Sequence, residues 1–395
     1  MNDRELKSRF LQEYGSGEGI RMFFAPGRVN LIGEHTDYNG GYVFPAALTL
    51  GTWALVRPRE DGLYRFRSTN FERKAECHIG KVEYREEDDW ANYPKGVLKE
   101  WLRFSDLAAH LKGADILYHG NILNGAGLSS SASIEMVTAL ALMKLAGADI
   151  PMLELVKLAQ RAENRFIGVN CGIMDPFAVG MGRKDHAMML KCESLEYRYV
   201  PVHIDGYKLV ITNTNKRRGL ANSKYNERRR ECEEGLRYIQ QRLPHVHRLG
   251  DLTPGEWESV KDEMPDQVIR RRVDHVVSET KRVLLAAESL QQHDLQAFGQ
   301  WMKQSHESLR DQYQVTGVEL DTLFEEARRI PGCIGTRMTG AGFGGCHISL
   351  VKEEAVKRFQ KEVADRYTRK TGLIPTFHIC DIGDGTREMT GEVEA

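Results

Sequence analysis

The sequence carries no excess of positive charge. Its 55 lysines and arginines face 56 aspartates and glutamates, which gives a formal net charge of −1. A protein that binds a nucleic acid backbone needs a positive surface to displace counterions, and binding to an anionic membrane needs one for attraction. We therefore expect small-molecule partners, and neither nucleic acid nor membrane.

Cysteine is scarce, and long uninterrupted apolar runs are missing. The seven cysteines are odd in number and no two are spaced as CxxC, which argues against a disulfide framework or a zinc ribbon. Residues 38–56 are uncharged, but glycines, threonines and Pro45 interrupt them, so two buried strands fit better than a membrane span. Residues 1–7 lack the apolar core of a secretion signal. These features predict a cytoplasmic protein in a reducing compartment.

The composition indicates a globular protein with more than one domain. Apolar residues make up 41% and charged residues 28% of 395 residues, which is long for a single core. In the first half we expect a strand at residues 20–25, ended by the Pro-Gly pair that follows it, and helices at 132–145 and 151–166. The helical spacing of apolar residues between 223 and about 314 predicts a second half rich in helices.

A Walker A loop is absent, because GxxxxGK[ST] occurs nowhere in the chain. Two other glycine-rich segments are candidates for phosphate binding. Residues 125–131 (GAGLSSS) precede a long helix, whose N-terminus offers unpaired N–H groups to an anion. A plain helix cap made by the serines is an equally good interpretation. Residues 340–345 (GAGFGG) fit GxGxxG, but a strand-like segment follows, so a tight turn lining a cleft is favoured over a dinucleotide site.

The densest group of functional side chains lies between residues 25 and 38. Arg28, Glu34, His35 and Asp37 occur there between glycines and a short apolar run. A strand end that delivers several charged groups into one small volume is suited to holding a polar ligand. A zinc site is disfavoured, because no HxxxH or cysteine pair completes four ligands.

Three segments together resemble the galactokinases, which are members of the GHMP small-molecule kinases. They are the sugar motif, residues 27–38 (GRVNLIGEHTDY); the phosphate loop, residues 125–133 (GAGLSSSAS); and residues 337–346 (RMTGAGFGGC), which contain the glycine turn 340–345. Residues 168–175 and 223–229 match as well, so the likeness covers most of the chain. The phosphate loop alone would indicate only the superfamily, whereas EHTDY narrows the resemblance to the galactokinases.

The resemblance implies an α+β fold of two domains. We expect an N-terminal mixed α/β domain at residues 1–200, an α-rich C-terminal domain at 201–395, and the active site in the cleft between them. It also implies transfer of the γ-phosphoryl group of ATP to the C1 hydroxyl of α-D-galactose, giving α-D-galactose 1-phosphate and ADP. A monomer is expected, with a dimer left open.

The resemblance implies roles for individual residues at the sugar. Asp175 is expected to accept the hydroxyl proton and Arg28 to lie beside it and the transferred phosphate. The remaining residues expected to hold the sugar are Glu34, His35, Thr36, Asp37 and Tyr225. From the sequence alone, the alternative for Asp175 is a helix cap, because Pro176 fits the start of a helix. On composition alone, Tyr225 would more often be an ordinary half-buried helix residue.

The resemblance also implies which residues bind ATP and Mg²⁺. Ser68 and residues 90–93 are expected near the nucleotide, although an aromatic there is as easily core. The phosphates are expected on Gly125, Ala126, Gly127, Leu128, Ser129, Ser130 and Ser131. Ser131 and Glu163 are the expected Mg²⁺ ligands, both hard oxygen donors. Glu163 lies at the margin of the apolar face of the helix at 151–166, a place that suits a cleft or a solvated edge.

Two residues depart from the family pattern. Leu123 replaces a proline before the phosphate loop, which we expect to loosen the loop slightly. Pro176 replaces a glutamine after Asp175, and we expect it to force Asp175 out of helical geometry. The rival interpretations are a galactose sensor without activity, a kinase of another sugar such as N-acetylgalactosamine, and, more distantly, an oxidoreductase. The sensors carry a gap in the phosphate loop, and this loop is intact, which favours an enzyme.

Overall fold

The computed structural model describes residues 1–104, 109–122, 127–216 and 221–389. A mixed six-stranded sheet forms the first layer, with the strand order β13-β1-β3-β6-β4-β5. All neighbours in it are antiparallel except the pair β4 and β6. Its strands are β1 (Arg21–Asn30), β3 (Pro45–Pro58), β4 (Leu63–Ser68), β5 (Ala75–His78), β6 (Ala114–Gly120) and β13 (Arg387–Glu388).

The two faces of this sheet are covered by different helices, because side chains alternate along a strand. On β1, Met22 packs with Leu6 and Phe10 of helix α1, whereas the neighbouring Phe23 belongs to the larger core beneath four other helices. These helices are α1 (Asp3–Tyr14), α2 (Asn92–Trp101), α3 (Ser130–Leu145), α4 (Met152–Ala162) and α5 (Met174–Met181). Helix α3 is buried on almost every side, as expected of a helix in the centre of a domain.

The second half of the chain is built around an antiparallel four-stranded sheet, in the order β10-β11-β9-β12. Its strands are β9 (Tyr207–Asn213), β10 (Cys333–Thr339), β11 (Cys346–Lys352) and β12 (Thr376–Cys380). The α-helices that the structure describes in this half are α6 (Ala221–Gln240), α7 (Pro254–Val260), α8 (Gln267–Gln291), α9 (Leu295–Ser308), α10 (Val318–Ala327) and α11 (Val356–Thr371). On β9, Val210 packs with α10 and α11, whereas Leu209 and Ile211 pack with α8 and α9.

A small third sheet lies beside helix α8. It contains β2 (Tyr42–Val43), β7 (His186–Lys191) and β8 (Tyr197–Pro201) in the order β2-β7-β8. The chain also returns from the second half to the first sheet, since β13 pairs with β1 and Ile382 bridges Leu48. The division of the chain near residue 200 stays a prediction, and a C-terminal segment packs across it.

The break predicted after residue 25 was wrong, because β1 continues to Asn30. The bulge lies instead in the neighbouring strand, β3. Pro26 pairs with Gly51 and Arg28 pairs with Ala47, so β3 has two more residues than β1 in this interval. A proline at such a bulge loses no ladder hydrogen bond. Gly27 lies at the jump, and a side chain on it would meet the Leu128 carbonyl oxygen at 2.8 Å. The bulge therefore brings Arg28 against the phosphate loop.

The expected displacement of Asp175 by Pro176 was also wrong. Asp175 is the second residue of α5 and Pro176 the third. The first turn of a helix has N–H groups without intrahelical partners, so a proline there costs no hydrogen bond. The other departure, Leu123, lies outside the described residues. Within the ranges that the structure describes, no helix is both long and apolar enough to span a membrane.

Candidate active site

The sugar motif, the segment at 168–175 and the glycine turn converge on one cavity of about 360 Å³, the principal cavity. Its lining contains most of the residues expected at the sugar: Arg28, Glu34, His35, Asp37, Asp175 and Tyr225. These residues come from β1 and the turns that follow it, from α5 and from α6. Only tertiary folding brings them together, because Asp37 and Tyr225 are far apart in the chain.

Arg28 and Asp175 form an ion pair with two hydrogen bonds. The guanidinium Nε and Nη2 lie 2.8 Å from Oδ1 and Oδ2 of the carboxylate, respectively. Nη1 donates to the carbonyl oxygen of Gly127, at 2.6 Å, so the arginine also contacts the phosphate loop. The Arg28 side chain is 5% exposed and that of Asp175 is 30% exposed, towards the cavity. A bidentate pair fixes the orientation of both groups while leaving the carboxylate accessible.

Glu34 is fixed by three donors. Its carboxylate accepts hydrogen bonds from Asn30 Nδ2 at 2.6 Å and from the Gly340 N–H at 2.7 Å, and Arg337 Nη1 lies 3.5 Å away. Asn30 belongs to β1, whereas Gly340 begins the glycine turn. Glu34 therefore joins the sugar motif to the glycine turn.

Arg337 gives a stability prediction. It is fully buried, and beside Glu34 it donates to the Asn30 carbonyl oxygen at 2.9 Å. Arg337→Met is expected to lower the free energy of unfolding by about 3 kcal/mol, because Glu34 keeps its charge but loses its cation. The matched control is Arg358→Met, in an exposed pair with Glu362, which should cost less than about 1 kcal/mol. Urea denaturation measures the loss of stability in both variants. Equal losses would contradict the role of Arg337 as the cation that balances the buried charge of Glu34.

His35 is held by the protein at both ring nitrogens. Nε2 lies 3.2 Å from the carbonyl oxygen of Ala341 and must carry the hydrogen, because a carbonyl only accepts; Nδ1 then accepts from the Tyr38 hydroxyl at 2.9 Å. Burial lowers the pKa of His35 to about 3, so the ring is neutral. Its ring also packs 4.8 Å from that of Tyr313 and 5.7 Å from that of Tyr225. The imidazole thus shapes the cavity wall, and neither ring nitrogen is left over for a sugar hydroxyl.

Thr36 lies behind the cavity rather than in its lining. It is fully buried, and its hydroxyl is 2.8 Å from the Gly33 carbonyl oxygen and 2.7 Å from that of Tyr42. The hydroxyl therefore holds the turn that presents its two neighbours, His35 and Asp37. The structure does not bring Thr36 to the place where the sequence expects it to act.

Asp37 is an unusual carboxylate in this site. Burial raises its pKa to about 6, and the nearby Asp175 and Glu34 charges add to the rise, while the Tyr38 N–H and Arg28 oppose it. Sequence reasoning assigned no separate role to Gly172, yet a side chain there would meet Asp37 Oδ2 at 2.1 Å. Only glycine fits beside Asp37, and its place three residues before Asp175 was the available signal.

A second cavity, of about 140 Å³, is lined by several of the residues expected at the nucleotide. Ser68, Ser130 and Ser131 line it together with Trp90 and Tyr93. Asn70 and Phe71, which sequence reasoning missed, line it too, and the rings of Phe71 and Trp90 lie parallel, 6.0 Å apart. Flat aromatic walls beside serine hydroxyls suit a purine base with a phosphate chain.

The phosphate loop is described only in part, because Gly125 and Ala126 lie outside the described residues. Leu128 is buried in the core, and its carbonyl oxygen accepts from the Arg28 N–H at 3.1 Å. Ser129 precedes α3, but within the described residues its side chain makes no capping hydrogen bond and its buried hydroxyl has no partner. The cap interpretation is therefore wrong for Ser129, whose hydroxyl keeps its hydrogen-bonding capacity unused within the described residues.

Ser131 and Glu163 meet between the two cavities. Ser131 lines the second cavity and Glu163 the principal one, and the Ser131 hydroxyl acts to lower the pKa of the Glu163 carboxyl group. Glu163 also accepts from Cys171 Sγ at 3.3 Å, and burial, with Asp175 nearby, raises its pKa. A hydroxyl is thus placed near a desolvated carboxylate that has no paired lysine or arginine in the part of the chain that the structure describes, and these two groups fit Mg²⁺. Over the described part of the chain, no three His, Cys, Asp or Glu side chains could hold a metal alone, so phosphate oxygens would have to complete the site.

Comparison with known proteins agrees with this geometry. Family models match at residues 8–58 (galactokinase galactose-binding signature), 92–183 (GHMP kinases N terminal domain) and 286–369 (GHMP kinases C terminal). The galactokinase of Halalkalibacterium halodurans is 55% identical over 94% of this chain and 93% of its own length, and that of Bacillus subtilis is 51% identical over 98% and 99%.

Among solved structures, the Lactococcus lactis galactokinase complexed with galactose superimposes with a TM-score of 0.93. It is 42% identical in sequence, over 98% of this chain and 99% of that one. Likeness of this extent in both sequence and structure confirms the α+β GHMP kinase fold. The chain therefore belongs to the galactokinase family of the GHMP kinases, which are phosphotransferases.

Proposed function

We propose that this chain transfers the γ-phosphoryl group of ATP to the C1 hydroxyl of α-D-galactose, giving α-D-galactose 1-phosphate and ADP. One observation carries the proposal: the Arg28–Asp175 pair lies in the cavity on which the sugar motif converges, and it also contacts the phosphate loop through Gly127. The family supports both substrates, because ATP is the donor of these kinases and the Lactococcus lactis relative was solved with galactose.

In this mechanism the residues mainly position the two substrates and neutralise the charge of the transferred phosphoryl group. Phosphoryl transfer has a loose transition state, so alignment of the hydroxyl with the phosphorus and positive charge near the moving group matter most. Asp175, held by Arg28, accepts the proton of the C1 hydroxyl as the hydroxyl oxygen attacks the γ-phosphorus. Arg28 offsets the charge on the phosphoryl oxygens. Glu34 and Asp37 accept hydrogen bonds from other sugar hydroxyls and so fix which oxygen faces Asp175.

Ser131 and Glu163 are proposed to hold Mg²⁺ together with the phosphates of ATP. When bound, the ion supplies charge neutralisation and a fixed phosphate geometry. Ser129 and Ser130 would donate hydroxyl hydrogen bonds to the phosphates. The second cavity, with Ser68 on its wall, would take the adenine.

Asp37 gives a pH prediction. Its carboxylate must be ionised to accept a sugar hydroxyl, and its pKa is raised to about 6. As the pH falls through this value the folded enzyme takes up a proton, so kcat/KM for galactose should fall about tenfold per unit below it. Asp37→Asn should raise the KM for galactose about 10- to 100-fold and remove this pH step. Kinetics between pH 5 and 8 measure both, and an unchanged step in the variant would assign it to another group.

We also propose that the chain acts in the cytoplasm as a monomer. The absence of a CxxC pair among the seven cysteines of the sequence fits a reducing compartment, and both cavities are lined by residues of a single chain. Sedimentation equilibrium measures the mass, and a value twice that of the 44.9 kDa chain would contradict the monomer.

An ADP-release assay with a panel of sugars tests the proposal. Galactose should support turnover, whereas glucose and the omission of sugar should not. Turnover with N-acetylgalactosamine at an equal kcat/KM would favour a kinase of another sugar. Binding of galactose without release of ADP would instead make the chain a sensor and overturn the proposed reaction.

A further inference from the structure

Glu135 is a charged residue that the site described so far leaves unused. It is the only ionisable residue between Ser130 and Met143 in α3, a helix buried on almost every side. Its side chain is completely buried, and neither carboxylate oxygen has a hydrogen-bond partner among the described residues. A buried carboxyl group without partners carries a large desolvation cost. Other buried carboxylates, such as Glu34 and Glu279, are held by several donors.

The helix places Glu135 next to the expected Mg²⁺ ligands. It follows Ser131 by four residues, so the two side chains share one face of α3, and helical side chains lean towards the N-terminus. Burial raises the pKa of Glu135, and the charges of Glu163 and Asp175 add to the rise. The charges of Glu163 and Glu135 also act to raise the pKa of Tyr93, which lines the second cavity. Glu135 therefore lies behind the junction of the two cavities.

The charges at this junction do not balance. Arg28 is the only lysine or arginine among the described residues that line the two cavities, and its guanidinium is paired with Asp175. The hydrogen-bond donor to Glu163 in the described residues is the neutral thiol of Cys171. Within the described residues, Glu163 and Glu135 are thus left without a paired lysine or arginine at this junction. A divalent ion that arrives with the nucleotide has the charge to compensate them.

We propose that Glu135 supplies a second carboxylate to this cation site, next to Glu163. The inference rests on the proposed nucleotide-dependent function and adds a residue to it. A purely structural alternative exists, in which Glu135 is a neutral acid that fills space in α3. The two roles predict different effects of Glu135→Gln on cation binding. Glutamine has the same shape as glutamate, but it cannot ionise and is a weak ligand for hard cations.

The test is a titration of Mn²⁺ at saturating ADP, in which free Mn²⁺ is followed by electron paramagnetic resonance. Glu135→Gln is expected to fold with an unchanged or higher melting temperature without cation, because an unpartnered acid is removed. Its affinity for Mn²⁺ should fall about tenfold or more, by comparison with other groups that support a metal site. ADP affinity without cation should stay the same, and the stabilisation by Mn²⁺ with ADP should shrink.

The matched control is Glu326→Gln, a buried carboxylate of α10 paired with Lys370. It should lower the melting temperature and leave Mn²⁺ affinity unchanged. Unchanged Mn²⁺ affinity in Glu135→Gln would overturn the inference. Should that variant not fold, Glu135→Asp keeps the charge but shortens the side chain, and wild-type Mn²⁺ affinity in it would overturn the inference equally.

The outcome is independent of the sugar. A wild-type chain that binds Mn²⁺ with ADP, depends on Glu135 for it and yet does not phosphorylate galactose would support the cation site and overturn the proposed reaction. A wild-type chain that binds no Mn²⁺ with ADP would overturn the nucleotide site and the role of Glu135 with it.

Discussion

Asp175→Asn is expected to lower kcat about 10²- to 10⁴-fold while sugar affinity changes little. Asparagine keeps the shape of the side chain, and its amide oxygen still accepts from Arg28, but the amide cannot take the hydroxyl proton. Glu34 and Asp37 are untouched, so the sugar still binds. Steady-state kinetics give kcat, and calorimetric titration with galactose gives the affinity.

The control for this prediction is Asp61→Asn, in which an exposed carboxylate paired with Arg59 is replaced far from the cavity. It should change neither quantity. An Asp175→Asn enzyme with kcat within tenfold of the wild type would remove Asp175 from the role of proton acceptor. A large loss of sugar affinity would instead make Asp175 a binding residue.

Arg28→Ala is expected to lower kcat about 10³-fold or more, with a smaller change in the KM for galactose. The guanidinium touches both Asp175 and the Gly127 carbonyl oxygen, so its loss frees the proton acceptor and removes positive charge from the phosphoryl group. Arg28→Lys should recover little of this, because an ammonium cannot form the two parallel hydrogen bonds.

Comparing Arg28→Ala with Asp37→Asn separates two roles within the sugar motif, sugar binding and catalysis. Asp37→Asn should act mainly on KM and Arg28→Ala mainly on kcat. If Arg28→Ala raised KM and left kcat unchanged, Arg28 would belong to uniform substrate binding and not to the transition state. Calorimetric titration of both variants with galactose separates affinity from turnover.

Local sequence patterns were sufficient to predict much of this molecule. A strand follows the glycine turn at Cys346, and a long helix follows the phosphate loop, as the patterns require. The residues of the sugar motif do converge with Asp175 in one cavity. The predictions of the strand and the helix succeed because periodicity and turn residues report on neighbours in the chain, whereas the convergence on Asp175 followed from the family resemblance.

Features that depend on distant partners could not be predicted. The continuation of β1 past Pro26 depends on extra residues in β3, and the Glu34 carboxylate depends on Gly340, about three hundred residues away. His35 and Thr36 look like ligand-binding residues in the sequence, yet their polar side-chain atoms are already bonded to the protein. Residue type alone does not reveal which hydrogen bonds are already made.

The measurement that tests the central claim most directly is ³¹P NMR of the product formed from galactose and ATP with Mg²⁺. We expect one new phosphomonoester resonance, coupled to the anomeric proton, that grows as the ADP resonances grow and that is absent without galactose. A phosphate coupled to the C6 protons, or ADP formed without any sugar phosphate, would contradict transfer to the C1 hydroxyl.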